Sequence, residues 1–159
     1  YDYVMLALFA TIFTASFFIH EIAHKMAAQR KGLWAEFRLT LMGAILTMLS
    51  ILPLFFKIIS PGAVMIAGFA DRENIGKISI AGPATNIALS TILLAFVFLL
   101  PQRPPILMLG AAFNAWIALF NLIPFGILDG FKIFLWNKKI WVLAFTASLA
   151  LTLISYPVI

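Results

Sequence analysis

The chain has 159 residues, 64% of them hydrophobic, with a mean hydropathy of +1.07. That is more apolar material than one water-soluble core needs, so composition excludes an ordinary soluble domain and points to an integral membrane protein. The formal charge of +5 would suggest nucleic acid for a soluble protein, but in a membrane protein Lys and Arg mark the cytoplasmic side, so no nucleic-acid partner is expected; the lack of cysteine excludes a disulfide framework and thiolate metal ligands.

In chain order, the first element is an uncharged apolar run over 3–19. At about 1.5 Å per residue it can cross, with help from flanking residues, a hydrocarbon layer of roughly 30 Å. The chain opens on Tyr1 rather than Met, which leaves open a preceding signal or helix; residues 1–159 are read as one membrane-embedded unit, whole or a fragment. A second apolar run, 39–56, is interrupted by Pro53. Between 61 and 81, Ala63-Val64-Met65-Ile66 and the alternating Lys77-Ile78-Ser79-Ile80 flank Asp71-Arg72-Glu73-Asn74, which predicts a small β-hairpin. Further spans are predicted over 84–100, 106–123 and 140–156. The expected fold class is an all-α polytopic membrane protein of about four transmembrane helices, with a re-entrant segment and that hairpin.

Just beyond the first run stand the chain's two histidines, in His20-Glu21-Ile22-Ala23-His24. Positions i and i+4 share a helix face, so both imidazoles can address one cation with the carboxylate beside it, the arrangement of a zinc hydrolase. An acid and two imidazoles at the end of a charge-free run also cost several kcal/mol unless they have partners. Two other readings exist at this stage: histidines satisfied structurally, and a transporter or channel whose ionisable groups form an ion or proton pathway.

Catalytic zinc takes three protein ligands and keeps one position open, so a third donor is required. Of the acids Asp2, Glu21, Glu36, Asp71, Glu73 and Asp129, only Asp129 directly follows an apolar helix. It closes the stretch Asn121-Leu122-Ile123-Pro124-Phe125-Gly126-Ile127-Leu128-Asp129-Gly130, where Pro124 removes a backbone donor and the glycines permit unusual dihedrals, so the helix should break there. A broken helix at membrane depth is tolerated where it lines an enclosed or watery cavity, although an Asp-Gly pair can also be a plain surface turn.

Three islands of this sequence resemble the site-2 protease family of intramembrane zinc metalloproteases: His20-Glu21-x-x-His24, Gly82-Pro83-x-x-Asn86, and Asn121-x-x-Pro124 leading to Leu128-Asp129-Gly130. The resemblance implies one Zn2+ ion bound by His20, His24 and Asp129, with Glu21 as the catalytic acid and base. It implies a zinc endopeptidase that cleaves transmembrane segments of membrane-tethered regulators. Asn86 and Asn121 are candidates for stabilising the transition state or binding substrate, and Asn114 is read as interhelical packing. A catalytically silent zinc-binding homologue is disfavoured by the intact Glu21. A substrate helix must be unwound for hydrolysis, and the strand around Ala63 to Ile66 could accept it as a further strand.

The run 39–56 is longer than the family's simple core requires. If it crossed fully, the helices carrying the histidines and Asp129 would be antiparallel and the ligands would end on opposite sides. A dip that returns to its starting side makes them parallel. It also puts ten cationic side chains on one side against Arg103 alone, whereas a full crossing splits them five to six; only the first obeys the positive-inside rule. A multi-pass protein of the cell membrane is expected, with the N-terminus outside and the metal nearer the cytoplasmic face.

Overall fold

The computed structural model describes residues 3–39, 62–68 and 70–155. Helix α1 (Tyr3–Arg30) continues beyond the apolar run, through the histidine motif and six residues past His24, because no glycine or proline interrupts it. It stops at Gly32, whose φ of +72° is the left-handed conformation that closes a helix; the Gly32 and Leu33 amides bond back to the carbonyls of Gln29 and Ala28.

Strand β1 (Trp34–Leu39) pairs antiparallel with β2 (Gly62–Ala67), from Trp34 opposite Ala67 to Leu39 opposite Gly62. The strand expected around Ala63 to Ile66 is therefore present, but its partner is not Lys77 to Ile80. Those four residues are helical, in the second and third turns of α2 (Arg72–Leu99). The cause is local: Asp71, read from sequence as part of a turn, is an N-cap whose side chain accepts the Asn74 amide at 2.7 Å, and Glu73 and Lys77 pair one turn apart. Pro83 sits inside α2, so the helix begins twelve residues before the apolar run at 84–100. The run 39–56, with its predicted dip, lies almost wholly outside the described residues. The strand pairing sets its flanks, Leu39 and Gly62, side by side.

Helix α3 (Pro105–Asn121) ends where the break was expected, and an irregular stretch with Gly126 at φ +60° leads to the short α4 (Asp129–Trp136). Asn137 then starts α5 (Lys138–Ser155), its Oδ1 accepting the amides of Lys139 and Ile140. Contacts fix the helix directions. Ile12 and Phe13 of α1 meet Gly110 and Phe113 of α3, and Ser16 meets Asn114, so α1 and α3 run parallel. His20 meets Asn86 and His24 meets Ile78, so α2 runs against α1.

Small residues make this approach close: Gly110, Ala111, Ala112, Ala115 and Ala118 are all buried on α3. Polar side chains line the inside, with His20, Asn86, Ser90 and Asn114 buried, whereas Phe98, Leu143 and Leu153 are more than 60% exposed. That is the reverse of a soluble core and suits a lipid solvent. Segments Ala7–Arg30, Arg72–Leu99 and Lys138–Ser155 are long and apolar enough to cross a membrane, and Pro105–Asn121 is a shorter apolar helix. The protein is a helical membrane protein.

Candidate metal centre

His20 and His24 lie one turn apart on α1 with their Nε2 atoms 3.0 Å from each other. Asp129 opens α4 and turns its Oδ2 toward both, 3.4 Å from His20 Nε2 and 2.9 Å from His24 Nε2. The irregular stretch after α3 brings the carboxylate here. Gly130 lets it do so, because a Cβ there would overlap the backbone carbonyls of Leu122 and Ile123. Asp129 divides its two oxygens, since Oδ1 faces Lys132 at 3.6 Å.

The far nitrogens decide what the near ones can do. His24 Nδ1 is 2.9 Å from the Ile78 carbonyl oxygen, an acceptor only, so Nδ1 carries the proton and donates it. His20 Nδ1 donates to Asn86 Oδ1 at 2.5 Å. With both Nδ1 positions protonated, each Nε2 of a neutral ring presents a lone pair, and these converge on a carboxylate oxygen. Three such atoms repel one another unless a proton or cation sits among them. Tetrahedral zinc with ligands at ~2.0–2.2 Å has edges of roughly 3.3–3.6 Å. The observed 2.9–3.4 Å lies within a few tenths of an ångström of that set, so the donors fit zinc.

Helix α2 closes the site from the opposite side. Gly82 faces the two rings so closely that a Cβ on it would overlap Nε2 of both. One residue on, Pro83 lacks the amide hydrogen that Ser79 O would have received, next to the Ile78 carbonyl that His24 uses.

The other candidates divide. Glu21 is half-buried on α1, directly after His20 and three residues before His24. Asn86 is fully buried but stands behind His20, and its Nδ2 already donates to the Ser16 carbonyl and to Asn114 Oδ1 at 3.2 and 2.7 Å. Both amide hydrogens are thereby used, so Asn86 has none to offer a transition-state oxygen. Asn121 Nδ2 donates to the Ile117 carbonyl one turn back, and no hydrogen bond among the described residues joins it to the cluster. Asn114 bridges helices as expected. Sequence reasoning missed Ser16, the Ile78 carbonyl and the clearance at Gly82. Of these only Gly82 left a signal, its spacing of four from Asn86 on one helix face.

No protein-family profile matches the chain. No solved structure matches it. A curated protein of Methanocaldococcus jannaschii, named "Putative zinc metalloprotease MJ0611", is 36% identical over 148 residues, covering 89% of this chain and 74% of that protein. The chain belongs to that zinc metalloprotease family. Within the family assignment, His20, His24 and Asp129 are the residues that could hold the metal, and they are the one such cluster of His, Asp and Glu among the described residues.

Proposed function

We propose that this protein is a site-2-type intramembrane zinc endopeptidase that cuts transmembrane segments of membrane-tethered proteins. The observation carrying this reading is the convergence of His20, His24 and Asp129 among helices whose outer faces are apolar. His20, His24 and Asp129 would hold one zinc ion. Zinc held there supplies a Lewis acid that can acidify a water and polarise a carbonyl.

The chain's own groups do the rest. Glu21 takes the proton of the attacking water on its carboxylate and returns it to the departing amide nitrogen as the C–N bond breaks. Nδ1 of each histidine stays protonated and bonded outward, so the rings keep their aim throughout the reaction. The apolar surroundings limit competing water and strengthen each charge interaction. Each strand of the β1–β2 ribbon has one edge that the other does not cover, and we assign an edge at Ala63 to Ile66 to the unwound substrate, whose freed amides it would pair.

Four spans are part of the proposal, with Pro105–Asn121 as the fourth, a re-entrant run at 39–56, and the metal toward the cytoplasmic face. The parallel α1 and α3 and the neighbouring flanks of that run support this arrangement. The partners are a membrane-protein or peptide substrate and the lipid bilayer of the cell membrane. The test is the purified protein beside Glu21→Gln, with zinc content and cleavage of a transmembrane peptide measured separately. Zinc retained with cleavage reduced about 10²–10⁴-fold is expected. Cleavage undiminished in Glu21→Gln, or absent from the zinc-loaded wild type across a panel of transmembrane peptides, would overturn the proposal.

A further inference from the structure

For Nε2 to offer a lone pair, each imidazole must keep its proton on Nδ1, and the two rings secure this by different means. His24 donates to a main-chain carbonyl, which cannot do anything but accept. His20 donates to the amide oxygen of Asn86, and an amide can turn through 180° to present its NH2 group instead. Turned that way, Asn86 would donate to Nδ1 and drive the His20 proton onto Nε2, closing the ligand position.

What prevents the turn lies on two other helices. Asn86 Nδ2 donates to the Ser16 carbonyl and to Asn114 Oδ1, and Asn114 Nδ2 donates onward to the Gly110 carbonyl at 2.8 Å and to Ser16 Oγ at 3.0 Å. Ser16, Asn86 and Asn114 are each at least 96% buried, so water offers no substitute partners. The Ser16 and Gly110 carbonyls are acceptors that cannot reverse. Starting from them, each bond in the chain can point only one way: Asn114 presents its oxygen to Asn86, and Asn86 presents its oxygen to His20. Each helix supplies its share at a spacing of four: Ser16 and His20 on α1, Gly82 and Asn86 on α2, Gly110 and Asn114 on α3.

We infer that Ser16, Asn86 and Asn114 form a directional relay that fixes the tautomer of His20, with Asn86 as the positioning residue, its rotation blocked only while Asn114 and the Ser16 carbonyl both hold its NH2 group. The relay rests on the metal-centre reading for its purpose, yet it acts in the metal-free chain and can be tested there.

Residues 1–159 contain two histidines, so labelling them with nitrogen-15 in this chain in lipid discs gives two imidazoles to read by NMR. In metal-free wild type at alkaline pH, both rings should carry their proton on Nδ1. In Asn114→Leu, His20 should shift toward the Nε2-protonated form while His24, held by a main-chain oxygen, stays as it was and reports that the fold is intact. A parallel competition titration should show zinc bound about 10–100-fold more weakly. Asn86→Asp, which keeps an acceptor for His20, should restore the Nδ1 proton that Asn86→Leu loses.

A wild-type His20 protonated on Nε2, or a His20 unmoved by Asn114→Leu, would overturn the inference. If Asn114→Leu disturbs both rings, Asn86→Leu decides: a shift at His20 alone supports the relay, and an unmoved His20 or a shift at both rings overturns it. Should the tautomers behave as expected while the wild type binds no zinc, the relay stands and the protease reading falls.

Discussion

Replacing Gly82 by alanine adds one methyl group where α1 and α2 come closest around the histidines. The new Cβ would stand less than 3.0 Å from Nε2 of both rings, where ordinary contact begins at 3.4 Å. Each ring would therefore have to retreat by roughly 1 Å on the steep side of the van der Waals potential. Neither is free to do so, because His20 is tied to Asn86 and His24 to the Ile78 carbonyl. Two effects on the fold oppose each other: alanine gains about 1 kcal/mol over glycine in a helix interior, and overpacking costs about 1–3 kcal/mol. The net change in stability is small, on the order of 1 kcal/mol by the same two terms.

The metal site has no such compensation, since ligand distances tolerate only about ±0.2 Å. Gly82→Ala should therefore fold with unchanged helix content and bind zinc at least about 100-fold more weakly, the upper end of what lost ligand support costs. Circular dichroism, elemental analysis and competition against a chromogenic chelator measure the three quantities. Wild-type zinc affinity in Gly82→Ala would refute the reasoning, because the rings could not then be where the structure puts them.

Gly130→Ala meets backbone rather than side chain, at the carbonyls of Leu122 and Ile123, so relief requires moving the turn that aims Asp129. A loss of about 3 kcal/mol or more in unfolding by denaturing detergent, together with lost zinc, is expected; a stable variant with normal zinc content would contradict it. The Trp141 indole donates to the Leu122 carbonyl at 2.8 Å, pinning α5 to the end of α3. Trp141→Phe should cost about 1–3 kcal/mol in the same assay by leaving a buried carbonyl short of a donor, while zinc stoichiometry stays at the wild-type value. Zinc at about 1,000 times its Kd should stabilise the fold by about 4 kcal/mol relative to chelated protein, and that increment should vanish in Asp129→Asn.

The membrane class and the pairing of His20 with His24 were legible because both depend on which residues are present and at what short spacing. Apolar runs announce spans by length, and His20 and His24 must share a face in any helix. The break after Asn121 was readable for the same reason, since Pro124 and Gly126 act on their own backbone. Errors arose where a local signal had two physical outcomes. Asp71-Arg72-Glu73-Asn74 can be a turn or a capped helix start, and the packing of Ile78 against α1 accompanies the helix.

The sequence by itself therefore determined the solvent and the shared helix of His20, Glu21 and His24, which are properties of composition or of positions within one helix. Only the tertiary structure decided how those side chains are aimed. The Ile78 carbonyl, the space at Gly82 and the chain from Gly110 through Asn114 to Asn86 come from helices far apart in sequence. Hydrogen-bond direction and steric clearance exist only once those helices meet, so no periodicity along the chain can carry them.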